Sequence, residues 1–120
     1  MSGSTLLSTS AATQVATDDA VHIEARLTSR EALDLRLDVE VRDLRQEGFD
    51  AEMSRPLVAS ELFDVAFRAA GELSPRLRVR VVESNWLAVR GRKVIYVTRF
   101  QFVHADAPAT QAIVERLRAA

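Results

Sequence analysis

A chain of 120 residues with 48% hydrophobic and 28% charged content has the length and balance of one folded globular domain. The absence of cysteine excludes disulfides, a thiol nucleophile, iron–sulfur clusters and thiolate zinc sites. The net charge of −1 conceals a split: residues 1–64 carry six Arg against thirteen acids, a net of −7, and residues 65–120 carry ten Arg or Lys against four acids, a net of +6.

The opening "MSGSTLLSTSAATQVATDD" contains neither Lys nor Arg and only a two-leucine apolar step, so it lacks the basic start and apolar block of a secretory leader. Residues 1–18 read as a flexible polar N-terminal arm, and residues 19–120 as a single α+β domain. No apolar run approaches the roughly 20 residues of a membrane helix. No membrane span and a cytoplasmic location are therefore expected.

"VHIEARLT" and "LDLRLDVEVR" both alternate apolar with polar residues, the period of a half-buried strand. A hairpin centred on Arg30 would set Leu27 against Leu33, Ala25 against Leu35 and Ile23 against Leu37. Its other face would pair Arg26 with Asp34, Glu24 with Arg36 and His22 with Asp38. Asp43 and Leu44 break the parity, which places a bulge or a strand end there. "RQEG" then turns the chain into "FDAEM", a third strand with Phe49, Ala51 and Met53 on its apolar face.

"SRPLVASELFDVAFRAAGELS" reads as a helix. Ser54 would be its N-cap, Pro56 would sit in its first turn and Gly71 would close it. Val58, Leu62, Val65, Ala66 and Ala69 would form its apolar stripe. "RLRVRVVES" is a strand in which Leu77, Val79 and Val81 alternate with Arg76, Arg78 and Arg80. "NWLAVRGRKVIYVTRFQFVH" is a hairpin turning at Gly91-Arg92, with Val89 opposite Val94, Leu87 opposite Tyr96 and Trp86 opposite Val97. Leu87, Val89, Val94 and Tyr96 would then form its core-facing side. That register, continued, would set Glu83 against Phe100, so a bulge around "ESN" is expected. "PATQAIVERLRAA" is a short terminal helix with Ala109, Ile113, Leu117 and Ala120 on one side.

The predicted fold class is α+β: an antiparallel β-sheet of about five strands, in the order β-β-β-α-β-β-α, with two helices packed on one face. That element order resembles the core of small secretion chaperones, although this chain lacks their first helix. The resemblance implies homodimers that bind partner proteins and perform no chemistry.

Catalytic signatures do not assemble. His22 and His104 are too few for a metal site, which needs three or four convergent ligands. The four glycines form neither a P-loop nor a dinucleotide fingerprint, and there is no G-x-S-x-G. No catalytic, cofactor-binding or metal-binding residue is assigned, and no cofactor is expected. The basic patch is Arg76, Arg78, Arg80, Arg90, Arg92 and Lys93. Together with Arg99 these fall within 24 positions in which Glu83 is the only acid. Interleaved Trp86, Tyr96, Phe100 and Phe102 would suit stacking on single-stranded nucleic acid. Against that stand the parity of the three C-terminal aromatics with Val94 and the slightly negative net charge.

The outer face of the last hairpin is the favoured site, read as Trp86, Ala88, Ile95, Val97 and Arg99. A Trp beside aliphatic residues on a presumed solvent side calls for a cover, and Trp with Arg is a common interface anchor. The functional reading is a non-catalytic protein–protein interaction protein, a homo-oligomer or a subunit of a larger assembly. The competing readings are a small-ligand or enzymatic domain with an apolar pocket between sheet and helix, and nucleic-acid binding through the arginine strands.

Overall fold

The structure, a computed structural model, describes residues 23–32 and 35–119. The strands are β1 (Glu24–Ser29), β2 (Arg36–Leu44), β3 (Gly48–Met53), β4 (Leu62–Ala69), β5 (Glu72–Leu73), β6 (Leu77–Arg90) and β7 (Lys93–Phe102). They are followed by α1 (Pro108–Ala119), the single helix among the described residues. Every pairing is antiparallel, and the strand order is β1-β2-β3-β7-β6-β4, with β4 returning to pair with β1. The sheet thus closes into a six-stranded barrel, and β5 is a two-residue extension beside β4.

This overturns the predicted α+β sheet with two helices. The segment expected to be the first helix is strand β4, preceded by an extended strap. Two periodicities overlap there. The helical stripe of Val58, Leu62, Val65, Ala66 and Ala69 competes with a period-2 row of Phe63, Val65, Phe67 and Ala69. The second row is the one buried. It wins because only as a strand can the segment supply the seam that closes the barrel, with Ala25 opposite Phe67 and Leu27 opposite Val65. The Ala, Leu and Glu helix propensities are worth only tenths of a kcal/mol each, about what burying a fraction of one Phe supplies. Gly71 is not a helix cap. With Ala70 it makes the tight turn from β4 to β5, both at positive φ, 52° for Ala70 and 82° for Gly71. The likeness in element order to secretion chaperones falls with that helix.

The first hairpin also differs in register. Leu27 meets Leu37, Ala25 meets Val39 and Arg26 meets Asp38, so each β1 residue pairs four positions farther along than the sequence suggested. A shift by an even number keeps every side chain on its face, so alternation alone cannot detect it. The longer loop is set by Ser29, whose hydroxyl accepts from the amides of Glu31 and Ala32. Arg26 is bonded to Asp38 at 3.0 Å, and Glu24 lies opposite Glu40 rather than Arg36. His22, Leu33 and Asp34 lie outside the described residues, as does the N-terminal arm.

Phe rings fill the barrel. Phe49 stacks on Phe100 with centroids 4.8 Å apart, meets Phe67 edge-on at 5.1 Å and lies 6.0 Å from Phe102. Phe63 approaches Phe100 edge-on from the β4 side. Gly48 lets β3 pass close to β7, where a Cβ would overlap the carbonyl oxygen of Phe100. At one end the helix packs Val114 and Leu117 against this core. Thr110 and Val114 are the buried residues of α1; of the expected row, Leu117 packs beside them, Ile113 is half-buried, Ala109 is exposed and Ala120 lies outside the described residues.

The other end, the mouth, is crossed by the strap, residues 54–61. The strap's own Leu57 is buried, and its amide donates to the Ser84 hydroxyl at 3.0 Å. Ser84 bonds to Thr98, whose own hydroxyl reaches the Met53 sulfur at 3.4 Å, so the polar groups of this buried corner satisfy one another. Ser60 takes a positive φ of 75° where the strap turns back to β4.

Candidate functional site

β6 and β7 outrun their neighbours. β3 makes its last pairing at Met53 and Tyr96, and β4 its first at Leu62 and Arg80. The strap adds one more backbone pair to β6, through Ser60 and Glu61 to Val81, at 2.7 and 2.9 Å. Beyond these points the two strands project as a two-stranded arm, turning at Gly91 with φ 64°.

The register of β6 slips twice, between Val81 and Glu83 and between Trp86 and Ala88. The first irregularity answers the conflict seen in the sequence: Glu83 faces Arg99 instead of Phe100. The second, at Leu87, has no local signal in the sequence. Each extra residue turns the strand over, so Trp86 lies opposite Tyr96 and not Val97. The predicted face is therefore divided. Ala88, Ile95 and Val97 share one side and are half-buried, with Asn85 opposite Val97. Arg99 shares that side and bonds to Asp50 at 3.1 Å.

Trp86 lies on the other side. On β7 the inward row runs Phe102, Phe100, Thr98, Tyr96, Val94, buried at its start and exposed at its end. Trp86 and Val89 oppose Tyr96 and Val94, so they extend this interior row past the mouth. Trp86 is 63% exposed, Val89 57%, Val94 36%, and Leu87 at the bulge 37%. The alternation in sequence places Val89, Val94 and Leu87 on the core-facing side. They are exposed because no strand, strap or helix among the described residues reaches that far.

The six basic residues fall into two groups. Arg78 and Arg80 stand on the outer wall of the barrel with Arg76 just before them, and Arg78 approaches Asp64 at 3.9 Å. Arg90, Arg92 and Lys93 form the tip of the arm, with Arg90 bonded to Glu52 at 3.1 Å. With its two extra residues discounted, about ten ladder positions of β6 separate Arg78 from Arg90, roughly 34 Å at the usual rise per residue. The structure does not bring them together as one surface.

A further charged cluster occupies the outer wall of β2, β3 and β7. One oxygen of Asp50 accepts from Arg45 at 3.0 Å and from Arg99 at 3.1 Å, while Arg45 also reaches Asp43 at 2.7 Å. Burial by itself would raise the Asp50 carboxyl. The hydrogen bonds and positive charge of Arg45 and Arg99 outweigh it and hold the group below the usual carboxylate range. The cluster ties three strands together and faces no nucleophile.

The groove between α1 and the β4–β5 turn, lined by Ala69, Leu73, Pro75, Ile113 and Leu117 among others, has a volume of about 190 Å³. That is below the roughly 300 Å³ at which ligand pockets begin. A wider groove of about 430 Å³ on the outer wall is bordered by Glu24, Arg26, Asp38, Glu40 and Arg68, and is open to solvent. His104 is exposed in the turn after β7. Among the described residues no group of three or more His, Asp or Glu side chains converges to hold a metal. No described helix is long and apolar enough to cross a membrane. No protein-family model, curated protein or solved structure matches the chain.

Proposed function

We propose that the protein is a non-catalytic interaction module that engages another protein chain through the β6–β7 arm. The observation that carries this reading is the continuation of the barrel's interior row into solvent, with Trp86, Val89 and Val94 exposed side by side on one face. Apolar surface of this kind, centred on Trp and ending at the basic tip of the arm, has the composition of an interface core and its border. The two irregularities in β6 twist and interrupt its free edge, and β7 offers only Lys93–Ile95 beyond its last pairing with β3, so strand addition is disfavoured on both edges. Docking on the face of the arm is the mode that remains.

A photoreactive residue at Val94 tests this. Under native conditions it is expected to give a discrete protein adduct that Trp86→Arg abolishes. The same group at Glu115, exposed on α1, serves as the control. Equal labelling from both positions, or an adduct indifferent to Trp86→Arg, would remove the reading.

A further inference from the structure

We infer that the occupant of the arm is a second copy of this chain, packed face to face and antiparallel about a two-fold axis near Trp86–Leu87. The inference rests on the arm being a protein-docking surface and adds the identity of the partner.

The argument is one of self-complementary charge at a fixed spacing. Between Ser84 and Val97 the arm holds Arg90, Arg92 and Lys93 and no acid. At the mouth lies a shallow groove of about 360 Å³ lined by Glu31, Val58, Ala59, Ser60 and Glu61. Val58 is 73% exposed there. Among the described residues neither Glu31 nor Glu61 has an ion-pair partner, and neither do Arg92 and Lys93. Backbone bonds between Val81 and Ser60 and Glu61 fix this acidic rim at the level of Val81 on β6.

Trp86 faces Tyr96, which along β7 and the turn before it lies midway between Phe100, the partner of Val81, and Arg92, four positions or about 14 Å from each at the usual rise. An antiparallel pair centred there places the basic tip of each copy at the acidic rim of the other. The same operation brings Trp86 and Val89 of the two arms into contact and lays each tip beside Val58 of the other copy. A two-fold contact repeats both charge pairings and closes on itself, leaving no unsatisfied copy of the patch. Opposite charges at both ends also fix the antiparallel sense, since a parallel pair would set the two basic tips together.

Trp86 is the chain's single tryptophan, so its emission reports the arm directly. Light scattering of the full chain is expected to show a dimer whose formation shifts Trp86 emission to the blue and weakens with salt. Arg92→Glu with Lys93→Glu should weaken association about tenfold or more, as should Glu31→Lys with Glu61→Lys. Each reversed variant repels itself at both ends. A mixture of the two restores attraction at both ends, so the mixture is expected to form heterodimers as tightly as the unaltered chain.

Mass that stays monomeric to millimolar concentration would overturn the second copy. So would variants that dimerise unchanged, or a mixture that fails to recover. If the chain is monomeric while the Val94 adduct to another protein persists, the docking surface stands and only its partner is wrong. If Trp86 responds instead to anionic vesicles or to duplex DNA, both readings fall.

Discussion

The barrel and the arm are made from the same two strands and the same alternating pattern, yet they end in opposite states. In the barrel, Phe100 and Phe102 on β7 face Val81 and Val79 on β6, and all four are buried. Along the arm, Tyr96 and Val94 continue that row opposite Trp86 and Val89, and all but the half-buried Tyr96 are exposed. Alternation assigns a side chain to a face. Whether the face is dry depends on what lies across from it. In the barrel that is β1, β3 and β4, while over the arm nothing among the described residues takes their place.

Substitutions can test how independent the two regions are. Phe49→Ala removes the ring that touches three other Phe rings and is expected to cost about 3–5 kcal/mol in a denaturant titration. A loss below about 1 kcal/mol would mean the barrel interior is not the folding core. Gly48→Ala should cost about 1–3 kcal/mol, because the new methyl must displace the β7 backbone at Phe100. Equal stability of variant and parent would show that β3 and β7 are not so closely apposed.

Asp50→Asn probes the outer wall through pH. The folded carboxyl is depressed, so its contribution is present above the ordinary Asp pKa and is lost as pH falls through the lower folded value. Below about pH 4 the parent should therefore lose stability more steeply than Asp50→Asn, as read by thermal unfolding across pH. Parallel curves would show that Arg45 and Arg99 do not hold the carboxylate. The smallest effect is expected for Trp86→Ser, within about 0.5 kcal/mol at concentrations where the chain is monomeric. A loss comparable to that of Phe49→Ala would make the arm part of the barrel's core and end the contrast between them.

Most strand positions could be read from period-2 runs, and so could the inward sets Ala25–Leu27, Phe49–Ala51–Met53, Val79–Val81 and Phe100–Phe102. The terminal helix and the hairpin turn at Gly91 were also legible, as was the break near Asp43, found between Val41 and Asp43. The candidate site was legible only in part. The apolar hairpin and its Trp stand out in the sequence, but the face that Trp86 occupies does not, because one extra residue at Leu87 exchanges the two faces and leaves no mark in composition.

By itself, then, the amino-acid order determined which residues are apolar, where they alternate and where the chain must turn, all of which are local properties. Tertiary structure alone decided three things. It made the Phe63–Phe67 segment a strand, since the competing helix would leave β1 without a partner on its second edge. It chose among even-numbered registers of β1 and β2, which local alternation leaves degenerate. And it carried the interior row of β6 and β7 beyond the closed barrel, because strand length is local while closure depends on partners far away in sequence.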